Sequence, residues 1–126
     1  MVRAVSRAQP ADEGAVVTKA VLRAAEQLDL PNRAVARMLG VSEASVSRMG
    51  SGSYVLRRDD KAFELALMFL RLFRSLDAVV SGDEAAARAC LRHEHPVLDG
   101  TPAELIQSLP GLVNVVGYLD ARRALV

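Results

Sequence analysis

The sequence predicts an all-α protein, and three observations predict it. The stretch NRAVARMLGVSEASVSRM, residues 32–49, has the spacing of a helix-turn-helix. A long run of apolar residues between Lys61 and Val80 recurs at helical rather than alternating spacing. No segment alternates apolar and polar residues as a half-buried strand would.

The helix-turn-helix spacing is specific. Val35 and Leu39 lie four apart on a first helix, and Ala36 is the small residue at which two steeply crossed helices can touch. Gly40 stands at the bend, where a positive φ costs glycine nothing, and Val41 follows it. Val46 and Met49 then line the inner side of a second helix.

The remaining elements follow in order. Residues 1–12 read as a disordered arm ending near Pro10, and Asp12 can cap a helix over Glu13 to Leu28 that turns Val17, Val21, Ala24 or Ala25, and Leu28 inward. Asp29-Leu30-Pro31 ends it. Asn32 can cap the helix to Leu39, and Ser42 the helix Glu43 to Met49; Gly50 to Ser53 is a loop. Asp59 and Asp60 place negative charge at the start of the long helix, where its dipole favours it. That helix is apolar over more than one stripe, so it needs cover on two sides. One side fits the helix-turn-helix, and the other fits either the C-terminal half or a second copy of the chain. Ser81-Gly82-Asp83 interrupts, and an Ala-rich helix runs from Glu84 to Arg92, ended by His95-Pro96. Thr101-Pro102-Ala103-Glu104 has the form of a capping box opening a helix to Leu109. Pro110-Gly111 separates it from a last helix, Leu112 to Arg123. The expected division is an arm (1–12), a DNA-binding region (13–58), and a central helix with a C-terminal region (59–126).

Composition bounds the function. With 126 residues, 51 % of them hydrophobic, the chain can build one core or two small halves sharing one. The net charge of +1 gives no bulk attraction to nucleic acid, but between Arg33 and Arg58 five arginines face one acid, Glu43. A lone Cys90 and the lack of an apolar leader fit a reducing cytoplasm, and Glu64, Arg71 and Arg74 break up the most apolar stretch.

If the second helix enters a major groove, Ser42, Glu43, Ala44, Ser45, Ser47 and Arg48 face the bases, with Arg48 able to read guanine or grip phosphate. Arg33, Arg37, Arg57 and Arg58 would then contact phosphates. The plainer reading keeps the motif only for packing. Cys90, His93 and His95 suggest metal, yet the two histidines are two apart and a fourth ligand is missing, so the sequence implies no metal or other cofactor. No nucleophile, base and acid come together, which argues against an enzyme.

The C-terminal signals carry a resemblance. Ala89-Cys90-Leu91, the run His95 to Pro102 (HPVLDGTP), Leu105, Pro110-Gly111 and Val115 to Leu119 (VVGYL) resemble the C-terminal domain of the Xre/MbcA/ParS antitoxins, in which an Xre-like helix-turn-helix precedes a small helical toxin-binding domain. The Gly100, Pro102 and Leu105 element is its most specific part; Cys90 stands where the family commonly has Trp, and Thr101 where it has a basic residue. The resemblance implies a homodimer within a hetero-oligomer. It also implies operator DNA and a RES-domain toxin, of ADP-ribosyltransferase or NAD-glycohydrolase type, as partners. Its C-terminal segment would cover the toxin's active site, with Asn114, Val115, Tyr118, Leu119, Asp120, Arg122, Arg123, Leu125 and Val126 as the contact set. Read without the resemblance, the same helix closes the protein's own core, and the chain is a stand-alone transcriptional regulator whose C-terminal half dimerises or senses a ligand.

Overall fold

The computed structural model describes residues 10–125, the first three by backbone alone. Among them are seven helices: α1 (Pro10–Gln27), α2 (Asn32–Leu39), α3 (Glu43–Ser51), α4 (Lys61–Val79), α5 (Glu84–Arg92), α6 (Pro102–Leu105) and α7 (Leu109–Arg123). The described residues contain no strand, only an isolated bridge between His95 and Gly100.

α1 starts at Pro10, so residues 10–12 of the expected arm are helical and Asp12 lies inside the helix, while the rest of that arm lies outside the described residues; proline suits a first turn, whose N–H groups have no partner anyway. Its middle is fixed by an unforeseen contact with the segment after α3. Thr18 Oγ1 donates to the Gly14 carbonyl (2.6 Å) and accepts from the Leu56 N–H (2.9 Å), all buried. A Cβ on Gly14 would stand 2.0 Å from the Leu56 carbonyl oxygen, so only glycine lets that segment cross.

Pro31, not Asn32, occupies the N-cap of α2, and its carbonyl accepts from Ala34 and Val35. Gly40 ends α2 at φ 72°, the expected left-handed bend. Ser42 caps α3, accepting from the Ser45 N–H. α3 runs through Gly50 and Ser51, beyond the expected stop at Met49, and ends at Gly52 with φ 85°.

α4 is the spine. Ala62, Phe63, Ala66, Phe69, Leu72 and Leu76 are buried, with α1 and α2 packed on one part of its circumference and α7 and α5 on another, while Glu64, Leu67, Arg71 and Arg74 stay exposed. Its second apolar side is therefore covered by the chain's own C-terminal half. Two arginines of α5 reach back to the corner between α1 and α2: Arg88 donates to the Gln27 carbonyl (3.1 Å) and Arg92 pairs with Asp29. Asp29 itself holds φ 58°.

The expected helix from Thr101 to Leu109 is only one turn long. Thr101 makes no side-chain cap, so the capping box does not form. Pro110-Gly111 opens α7 rather than preceding it. Ser108 is the N-cap, accepting from the Gly111 N–H (3.2 Å), and Pro110 sits in the first turn. A Cβ on Gly111 would lie 1.8 Å from the Leu105 carbonyl oxygen, so this glycine allows α7 to start directly against the end of α6.

Candidate functional sites on α3 and α7

α3 buries Val46 and Met49 against α2 and α1 and leaves Ser42, Glu43, Ala44, Ser47 and Arg48 exposed. Ser45 departs from expectation. It is 8 % exposed, so its hydroxyl does not reach outward to a base edge. It is held by its neighbours instead: Ser42 Oγ donates to Ser45 Oγ (3.0 Å), and Arg48 Nη2 donates to the same oxygen (3.3 Å).

The expected phosphate contacts divide. Arg37 is exposed on α2. Arg33 lines a cleft with Asp29, Arg92, Glu104 and Gln107, to which no α3 residue contributes. Arg58 is paired with Glu13 at 2.9 Å, and Arg57 lies 3.8 Å from Asp59, both side chains about four-fifths exposed, a pair that holds little.

α7 has two unlike sides. Leu112, Val115, Val116 and Leu119 are buried in the core. Val115 and Leu119, expected as anchors for a partner, are therefore core residues, because 112, 115, 116 and 119 form the stripe that faces α4. The outward apolar residues are Leu109 at the start of α7 and Val113, Gly117 and Ala121 along it, with Leu125 just beyond its end; Leu109 is 57 %, Val113 47 % and Leu125 82 % exposed. Asn114, Arg122 and Arg123 are exposed beside them and Tyr118 is half-buried; Val126 lies outside the described residues.

Asp120 is turned toward α4. Its carboxylate accepts from Ser75 Oγ (2.6 Å) and pairs with Arg71 (2.5 Å), tying α7 to α4. The Ser75 hydrogen bond, with Arg71 beside it, outweighs burial and holds the carboxyl below its ordinary pKa. Arg122 donates to Tyr118 Oη (3.0 Å) with its guanidinium carbon 5.9 Å from the ring centre, and His95 meets the same ring edge-on at 4.6 Å.

Cys90 is half-buried, and burial pushes its thiol up in pKa against the lowering effect of Arg122. His93 Nδ1 lies 2.7 Å from the Ala89 carbonyl oxygen, and His95 packs on Tyr118, so these side chains do not converge. Among the described residues no three His, Cys, Asp or Glu side chains group as metal ligands. Likewise, no described helix is long and apolar enough to cross a membrane.

Two family models match the chain, one over the helices around the glycine bend and one over the C-terminal helices. Residues 7–71 match the antitoxin Xre-like helix-turn-helix domain, and residues 75–124 match the antitoxin Xre/MbcA/ParS C-terminal toxin-binding domain. The chain belongs to the Xre/MbcA/ParS antitoxins. No curated protein matches it. In this antitoxin the two matched regions meet inside α4, so one helix carries the end of the first and the start of the second.

Residue-by-residue reading missed the Gly14–Thr18–Leu56 contact and Ser75, which need tertiary neighbours to be seen. The outward row of α7 was within reach. A start at Leu109, signalled by Ser108 followed by Pro110, puts 113, 117 and 121 on the face opposite 112, 115, 116 and 119.

Proposed function

We propose that this antitoxin neutralises a cognate RES-domain toxin, an NAD-using enzyme of ADP-ribosyltransferase or NAD-glycohydrolase type, by laying α7 and the residues after it over the toxin's active-site cleft. It acts by binding, without chemistry of its own. It represses its own operon by placing α3 in a major groove. The observation that carries the reading is the apolar row on α7, large at Leu109 and Val113 and small at Gly117 and Ala121, continued past the helix end by Leu125 and left uncovered on a helix whose other side is core. Exposed rows of this kind are used to dock a helix into a partner's groove. The contact set accordingly becomes Leu109, Val113, Asn114, Gly117, Tyr118, Ala121, Arg122, Arg123 and Leu125. The RES-domain assignment rests on the motif from Gly100 to Leu105 and the order of signals around it.

Homodimerisation would set two α3 helices on successive turns of the groove. Its support lies on the outer side of α1 and α4, where Val16 (65 %) and Leu67 (47 %) are exposed at an open groove floored by Ala20, Leu70 and Phe73 and edged by Lys19, Arg23 and Arg74.

Co-expression tests the proposal. Cells carrying an inducible RES-domain toxin encoded beside this antitoxin keep their NAD and grow when the antitoxin is present, and the tagged antitoxin captures the toxin. Deleting residues 121–126, which spares Leu119 and Asp120, removes protection. NAD loss in the presence of the intact antitoxin would reject the toxin assignment.

A further inference from the structure

Resting on the reading of α3 as the groove helix, we infer that Ser45 is a positioning residue for Arg48: it holds the guanidinium for base reading and touches no base itself. Residues 42, 45 and 48 follow one another at intervals of three along one side of α3, the interval at which helix side chains meet. They form a continuous chain. The Ser45 N–H donates to Ser42 Oγ (3.0 Å), which closes the helix cap. Ser42 Oγ–H donates to Ser45 Oγ (3.0 Å), and Arg48 Nη2 donates to that same oxygen (3.3 Å). The capping serine fixes Ser45, and Ser45 draws the arginine back along the helix toward its N-terminal turn, the part of a recognition helix that meets base edges.

The tether consumes one of the five guanidinium donors and leaves the rest of the fork for the O6 and N7 of a guanine. None of the ion pairs among the described residues involves Arg48. Glu43, the acid on this helix, is five positions away and on a different side. An untethered arginine at an exposed helix position samples many rotamers and reaches whichever phosphate is nearest. A tethered one has lost that freedom before DNA arrives, so the gain falls on the one base step in its line and not on non-specific binding.

The test uses the full-length antitoxin and a duplex enriched from a randomised pool by the wild-type protein. Affinity for that duplex and for a scrambled duplex of equal length is measured at one salt concentration for wild type, Ser45→Ala, Arg48→Ala and the double variant. Ser45→Ala is expected to lower the selected-to-scrambled ratio about two- to tenfold, the range that follows from immobilising one long side chain. Affinity for the scrambled duplex stays unchanged. In the Arg48→Ala background, Ser45→Ala has no further effect. Ser45→Cys, which fills the site with a slightly larger group but accepts hydrogen bonds weakly, reproduces the loss and guards against a cavity defect of the alanine variant. Equal loss on both duplexes, an unchanged ratio, or losses that multiply in the double variant would overturn the role given to Ser45. A wild-type protein that enriches no sequence from the pool would instead reject the base-reading role of α3 itself.

Discussion

α3 and α7 each give one side to the core and one side to solvent, but they prepare the outer side differently. On α3 it is polar, and a chain of side-chain hydrogen bonds from Ser42 through Ser45 orders Arg48. On α7 it carries an apolar row flanked by Asn114, Arg122 and Arg123, and the ordering lies beneath: Ser75 and Arg71 grip Asp120 from α4 while the outer row stays free. The contrast matches the partners proposed for them. A DNA groove is read by directed donors, which profit from fixed orientation. A protein groove is filled by area and shape, which require a rigid helix and an open row.

The largest effect is expected from confusing the two sides of α7. Leu119→Ala removes a side chain that is 3 % exposed and should cost about 2–5 kcal/mol in urea unfolding. Leu125→Ala, at 82 % exposure, should change stability by less than about 0.5 kcal/mol. Similar costs for both would erase the distinction between core side and outer side. Gly111→Ala comes next: its Cβ meets the Leu105 carbonyl oxygen at 1.8 Å, and shifting the start of α7 should cost about 1–3 kcal/mol in the same assay. On α3, Ser42→Ala removes the cap and should cost about 1 kcal/mol.

The Asp120 tie gives the smallest effect, and it depends on pH. Because the folded carboxyl titrates lower than it does unfolded, its contribution is present at neutral pH and disappears as pH falls through the folded value. Melting temperatures of wild type and Asp120→Asn should therefore differ at neutral pH and converge on acidification. A difference independent of pH would mean that the carboxylate charge does not hold α7 to α4.

Much of this fold could be read from the chain because its signals are local. Gly40 at the bend, the Ser42 cap and the helical spacing of the apolar residues depend on near neighbours in sequence. The sequence misleads where distant groups decide. Ser45 lies at a position that a helix-turn-helix template turns toward DNA, but its burial depends on the packing of α3. Val115 and Leu119 have the pattern of either a docking stripe or a core stripe, and only α4 lying against them settles which. Pro110-Gly111 suggests a break to local reasoning, yet Ser108 and the close approach of Leu105 make it a helix start.

Gly117 offers the most direct test of the central claim that the outer row of α7 is the toxin-binding surface. A Cβ there meets open space, so Gly117→Arg leaves the fold undisturbed and should hold or raise the melting temperature, since glycine is a poor residue inside a helix. The same arginine stands in the middle of the row and blocks close approach. Calorimetric titration with the purified toxin should show affinity falling at least about thirtyfold, the loss of a central interface contact, with melting unimpaired. Wild-type affinity in the Gly117→Arg protein would contradict the account and place the toxin elsewhere on the molecule.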